Sequence, residues 1–403
     1  MLDTKDSIEL IAVGQSLMEH EIKPHDPDEW RALEALLSEA HVVFTNFEGT
    51  IKGCDQRWPM KSPEWCTRPD PSSLDELKKL GFNLLSLANN HSWDFGPHGV
   101  LDTITEVEKR GFVHAGTGVD LEAAEQSGTI KTPYGAVALF SMASGGIPAP
   151  AFATARRDIG PHARPGINPL RVEDVNVVPA TEYERLSKIL RELGHSPIIN
   201  QELRLGDHVF SRGEQFVLER GIEDSDRKRH LELIAKAAQT AEMVLVYVHQ
   251  HHWENEWQEV GSWLQDFAYQ CIDAGAHAFF GHGVPMLQAI EVYKERPILY
   301  SLGNFIFHPT AGPAYWPDRR CWQSVVAKGR FKDGQWEKLV LHPISLGTAE
   351  AVMNEINEHP SKRYPLPARG KYGEQILNDL AELSAPFGTE FDIQEDRAYL
   401  KLR

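Results

Sequence analysis

Apolar and polar positions along the chain alternate between two rhythms. Short apolar runs at residues 8–14, 41–47, 82–88, 243–248 and 278–280 read as strands. Between them, periodic patterns predict helices at 28–40, 72–80, 97–110, 224–240 and 263–274. In the first of these, Trp30, Leu33, Leu36 and Leu37 share one face. Strand and helix in alternation mark βαβ units and a largely parallel sheet. Hairpins are expected where 129–132 meets 136–142 and at Asp333-Gly334, with a strand pair around 287–293 and 297–301, so the pattern is not purely parallel. Residues 143–221 break the rhythm. Gly145-Gly146, Pro148, Pro150, Pro161, Pro165 and Pro169 predict irregular backbone, followed by one helix near 181–193. The low apolar content there marks a long insertion or lid rather than a second core. Residues 320–403 are expected to hold a hairpin, one helix and a closing strand.

Composition narrows the class. Apolar residues make up 41% of the 403, enough for a substantial core. The net charge of −17 is spread along the chain and argues against nucleic acid or an anionic membrane surface as partner, because phosphate recognition needs Lys/Arg patches. The four cysteines contain no CxxC pair and read as reduced thiols, although Cys54 and Cys66 flank one Trp/Pro-rich loop. The first residues run directly into a strand without a signal-like pattern, and no window approaches the roughly 18 uninterrupted apolar residues of a membrane helix. A soluble, cytoplasmic protein is expected, and a homo-oligomer is compatible with the pattern.

Candidate chemistry lies at the strand ends. The first strand is followed by Gly14-Gln15-Ser16, the second by Asn46-Phe47-Glu48, the third by Asn89-Asn90-His91. The fourth leads to His249-Gln250-His251-His252 and the fifth to Gly281-His282-Gly283. Open α/β sheets place ligands at the carboxyl edge of their strands. A mixture of amide, carboxylate and imidazole suits Zn, Mn or Fe. Clustered imidazoles have no use in a packed core.

The string Leu87-Ala88-Asn89-Asn90-His91, continued by Asp94-Phe95-Gly96, resembles the ANNH-x-x-D-[YF]-G motif of the CapA, or poly-γ-glutamate-synthesis, family, whose members resemble calcineurin-like metallophosphoesterases. Asn46-Phe47-Glu48, Ala115-Gly116-Thr117-Gly118, Arg164-Pro165-Gly166-Ile167-Asn168-Pro169-Leu170, Asp273-Ala274-Gly275-Ala276 with Gly281-His282, and Pro297-Ile298-Leu299-Tyr300-Ser301-Leu302-Gly303-Asn304-Phe305 match in family order. The resemblance implies an α/β fold, a four-layer αββα sandwich with a metal centre between its loops, as one domain over 1–403 with its core at 8–308. It makes Glu48, Asn90, His249 and His282 metal ligands and His91, backed by Asp94, the proton donor to the leaving group. His251 is a further ligand or a substrate contact, since residues two apart at a strand end share a face.

Two positions depart from the family pattern. The first strand of many relatives ends Gly-Asp, where this chain has Gln15. The last motif commonly runs Gly-His/Ser-His-Pro-His, where this chain has Gly281-His282-Gly283-Val284-Pro285. In a two-metal architecture both losses fall on one metal position. One divalent transition metal per chain is therefore expected, with His251 or His252 recruited to it or to substrate. The expected activity is metal-assisted hydrolysis of a small substrate, at an amide or γ-glutamyl-type bond. Phosphoester hydrolysis and a non-catalytic scaffold in polymer synthesis are the alternatives. Gln15 sits where substrate binds. Arg164 is either a carboxylate or phosphate clamp or a surface ion pair, and Asn304 either contacts substrate or caps a turn.

Overall fold

The computed structural model describes residues 6–403 apart from 23, 25–26, 52, 54–57, 63–64, 156–161, 195–197, 200–201, 207, 310–314, 355–358 and 360–361. It has a mixed α/β fold with several sheets and helices, in two compact units: Leu170–Lys228, and the rest of the chain. The larger unit contains a ten-stranded and a six-stranded sheet. In the first, Ile8–Leu17, Val42–Phe47, Leu84–Ser86 and Val113–Ala115 run parallel, and Gln323–Lys332 pairs antiparallel to Ile8–Leu17. In the second, Gly135–Ser144, Met243–Gln250, Ala278–His282 and Arg296–Leu299 are parallel. The expected hairpins at 132–135 and 332–335 are present.

Period-two alternation explains how these sheets pack. Ile8, Leu10, Ala12, Val42 and Phe44 join Val137, Leu139, Met243, Leu245, Tyr247 and Phe280 in one apolar cluster, so both sheets contribute to it. Ile11, Val13, Val43 and Phe47 belong to another cluster with Leu33, Leu37, Leu74, Leu77 and Val107 of the helices Pro27–Leu37, Ser72–Lys79 and Gly96–Lys109. Strands buried on both faces read as the near-continuous apolar runs seen in the sequence. On the six-stranded sheet, Phe279 meets Phe267 of helix Ser262–Asp273 edge to face at 6.4 Å.

Three features differ from the sequence expectation. The first strand does not stop before Gln15 but continues to Leu17, with a register shift between Ala12 and Gln15. Gln15 lies opposite Asn46 on one side and Asn304 on the other. That second neighbour comes from an additional strand, Asn304–Phe307, parallel to the end of the first. A Cβ at Gly14 would lie 1.8 Å from Gly303 O, so only glycine permits this approach. Over 143–221 the expected helix is present as Ala180–Glu192, but strands Val172–Pro179, His208–Gly213 and Val217–Ile222 stand where irregular backbone is expected, and Val172, Val175 and Val177 favour the first of them.

The Leu170–Lys228 unit holds a five-stranded sheet in the order Ile198–Ile199, Glu202–Leu205, His208–Gly213, Val172–Pro179, Val217–Ile222. Helix Ala180–Glu192 shares a small cluster with it, formed by Val178, Tyr183, Leu190 and Leu203. Cys66, Cys271 and Cys321 are buried, while Cys54 lies outside the described residues. Among the described residues no helix is long and apolar enough to cross a membrane.

Burial lowers His277 and His342 from 6.5 to about 4 and His308 to about 3. His277 Nδ1 accepts a 3.0 Å hydrogen bond from Val244 N, which requires the neutral ring. Each folded value lies below the unfolded one, so the unfolded chain takes up more protons as pH falls. The stability from these histidines is complete above pH 6.5 and is lost on acidification toward 4. Glu19 and Glu48, raised by burial to about 7 and about 8, act in the opposite sense. A difference measurement isolates one group. His277→Asn retains an acceptor for Val244 N, and its denaturation curves will lose about 1.4 kcal/mol per pH unit of acid dependence between these limits relative to wild type.

Candidate metal centre

The carboxyl ends of the parallel strands surround an open cavity of about 90 Å³, lined by the polar residues Gln15, Glu48, Asn90, His91 and His251 and by the apolar residues Leu17, Trp65, Trp253, Phe307 and Trp316, among others. The direction of each polar group follows from the sheet. Leu245 and Tyr247 face the cluster between the sheets, and His249, two residues further on, faces the same way. Ala278 and Phe280 aim His282 likewise. His249 and His282 are register partners on neighbouring parallel strands, and their rings stack with centroids 5.8 Å apart. Glu48 follows strand Val42–Phe47 and reaches them. Glu48, His249 and His282 each offer a ligand atom, all within 4.8 Å of one another.

The electrostatics of this cluster call for a cation. Burial pushes the Glu48 carboxyl up to about 8 and holds His282 at about 4, His251 at about 3 and His249 well below the usual imidazole range. Neutral rings keep their lone pairs. His282 Nε2 lies 2.9 Å from Gly303 O, and a carbonyl only accepts, so Nε2 carries the proton and Nδ1 the lone pair. That Nδ1 is buried without a hydrogen-bond partner, as is Glu48 Oε2. His249 Nε2 lies 2.9 Å from Asn90 Oδ1 and 3.2 Å from His251 Nε2, a convergence of ligand-type atoms around one nitrogen. A carboxylate and imidazole lone pairs facing each other in a buried site fit a divalent transition ion, whose charge would reverse the desolvation cost.

His91 stands beside this cluster. Its Nδ1 is 2.8 Å from Asp94 Oδ2, which leaves Nε2 directed toward Glu48 Oε1 at 3.8 Å. Asp94 is fully buried, accepts from Thr67 N at 2.7 Å and pairs with Lys61 Nζ at 2.8 Å. Lys61 also donates to Asn90 O at 3.1 Å, tying the Asn90-His91 turn to the loop before it. Asn89 is buried behind the site, donating to Phe47 O and accepting from His91 N. Sequence reasoning passed over Lys61, Thr67 and the role of Asn89. Lys61 and Thr67 carry no motif, and only the fold brings them to Asp94.

Of the residues singled out from sequence, Gln15, Glu48, Asn90, His91, Asp94, His249, His251 and His282 come together. Three others have partners elsewhere. Arg164 Nη2 donates to Phe152 O at 3.1 Å. His252 Nε2 meets Ser144 Oγ at 2.8 Å, and its ring packs edge-on against Trp263. Asn304 is fully buried and donates to Pro285 O and Cys321 O, which ties two loops together.

Against known proteins, the family profile described as "Bacterial capsule synthesis protein PGA_cap" matches residues 9–309. Uncharacterized protein y4sH of Sinorhizobium fredii is 28% identical over 450 residues, covering 98% of this chain and 94% of that one. The PGA biosynthesis protein CapA of Bacillus subtilis is 23% identical over 280 residues, 68% of this chain and 55% of its own length. A crystal structure of a hypothetical protein from Thermus thermophilus shares 13% identity with a TM-score of 0.42, covering 83% of this chain and 98% of that one.

Gly283, beside His282, has φ +130°, and a Cβ there would lie 1.6 Å from Gln250 O. Any side chain at this position displaces backbone. Gly283→Ala will therefore destabilise the protein by about 2 kcal/mol or more, read as a lowered melting temperature, although alanine adds only one carbon.

Proposed function

The chain belongs to the bacterial capsule synthesis protein PGA_cap family, and from that premise we propose that it is a metal-dependent hydrolase of a small amide or γ-glutamyl-type substrate. The observation that carries this reading is the buried Glu48, His249 and His282 triad placed within reach of a His91–Asp94 pair. The helices outside both sheets and the apolar cluster shared between them support a four-layer αββα sandwich of the metallophosphoesterase type. Zn, Mn or Fe suits the donor set, with Glu48, Asn90, His249 and His282 as ligands and His251 as a fifth donor or a substrate contact. A position that admits no side chain at Gly283, and an amide at Gln15 in place of a carboxylate, favour one ion per chain.

The bound ion would supply Lewis acidity to the scissile carbonyl and to the attacking water. The remaining steps fall to the chain. Asp94, held by Lys61 and Thr67 N, fixes the His91 ring through Nδ1. His91 Nε2 gives its proton to the departing nitrogen as the C–N bond breaks, and the oxygen of water remains on the acyl carbon. Amide chemistry fits better than phosphoester chemistry, because no Arg or Lys lines the cavity among the described residues and phosphoryl transfer relies on cationic clamps. The absence of a basic wall also favours a small substrate over a polyanion.

Elemental analysis of untagged protein will give about one transition ion per chain, lost on chelation and on His282→Ala. Two ions would overturn the single-ion reading, and none after reconstitution would overturn the hydrolase. In a screen of small amides against phosphoesters, Asp94→Asn will lower kcat about a hundredfold or more while the metal content stays that of wild type. The loss will be smaller for amides whose leaving amine is less basic, because such an amine needs less proton donation.

A further inference from the structure

Beside the metal-ligand candidates the cavity is lined by aromatic rings that belong to one connected set of ring contacts. His251 packs on Trp253 with centroids 5.1 Å apart, Trp253 on Trp257 at 4.8 Å, and Trp257 on Trp316 at 6.2 Å. Trp316 is flanked by Phe307 at 5.5 Å and Tyr315 at 5.6 Å, and Tyr315 meets Trp65 edge to face at 5.3 Å. Trp65 comes from the loops after strand Val42–Phe47 and Tyr315 from the loop after Asn304–Phe307, so two separate segments meet beside a ring that lines the cavity.

These rings are not simply core. Trp65 is 46% exposed and Tyr315 is 55% exposed. Two large aromatic groups left in water and packed on each other beside a cavity are costly unless something covers them. Trp253 and Trp316, less exposed than these two, line the cavity together with Trp65 and His251. The cavity thus has one polar pole and one aromatic pole. Cations near these rings are engaged: Arg320, which shares a neighbouring pocket with Trp257, Tyr315 and Trp316, pairs with Asp318 at 2.6 Å, and Lys61 pairs with Asp94 at 2.8 Å.

Resting on the hydrolase reading above, we propose that the aromatic pole is the specificity subsite, and that the substrate carries an uncharged aromatic or similarly flat apolar group adjoining the bond cleaved at the metal centre. Stacking and edge-to-face contact with Trp316 and Trp65 would hold that group. Because offset rings are geometrically selective, the same contact sets the distance from the group to the scissile carbonyl. Trp65 and Trp316 are on this reading specificity residues, outside the proton-transfer and ligand set.

Hydroxamic acids test it, because they chelate a transition ion whatever their side group. Titration calorimetry on the metal-loaded protein will show benzohydroxamate binding about tenfold tighter than acetohydroxamate. Trp65→Ala, at an exposed position where folding is least at risk, will remove most of that ratio and leave acetohydroxamate unchanged; Trp316→Leu will do the same. Equal binding of both hydroxamates would overturn the aromatic subsite while leaving the metal centre standing. Binding of neither would overturn the metal centre, and the subsite is then read on the metal-free protein. There, saturable quenching of tryptophan fluorescence by benzamide, absent with propionamide and weakened in Trp65→Ala, supports it, and its absence overturns it. Tighter binding of benzyltrimethylammonium than of benzamide would overturn the uncharged class in favour of a cation.

Discussion

The apolar cluster between the two sheets is the constraint from which the site inherits its geometry. A strand that contributes Leu245 and Tyr247 to that cluster has no freedom to turn His249 elsewhere, and Ala278 and Phe280 bind His282 to the same face. The parallel register then sets the two rings opposite each other. On the facing sheet, Val42 and Phe44 orient the strand that delivers Glu48. Packing energy spread over many apolar contacts thus holds a few polar groups where they would not gather alone.

The polar groups gathered there carry a cost that the packing sustains. A buried carboxyl with a raised pKa, several imidazoles with lowered ones, and unpartnered Glu48 Oε2 and His282 Nδ1 are unfavourable without a counter-charge. Elsewhere the buried Glu291 accepts from Tyr300 OH at 2.6 Å. Glu48 instead faces His249 and His282, with the ligand-type atoms of all three within 4.8 Å of one another.

Much of the fold was legible because its signals are local. Alternating apolar runs and amphipathic helices were placed within a few residues, and the strand ends pointed to one rim. The misreadings share a cause. The first strand continues through Gln15 because ladder partners on both sides extend it, and one of these, Asn304–Phe307, lies almost three hundred residues away in sequence. The sheet of the Leu170–Lys228 unit was hidden behind prolines that belong to the segment before it. Arg164, His252 and Asn304 each have a neighbouring backbone or side-chain partner that residue type alone does not reveal.

By itself, then, the sequence determined the alternation that builds the sheets, and it named the carboxylate, amide and imidazole groups at their ends, since residue type and spacing are properties of the chain alone. Tertiary structure decided which of those groups converge, which nitrogen of His282 keeps its lone pair, why Gly283 tolerates no side chain, and that Lys61 and Thr67 stand behind Asp94. It also turned scattered tryptophans into one connected set of rings. These outcomes depend on distances between segments far apart in sequence, and such distances exist only after the strands have taken their register.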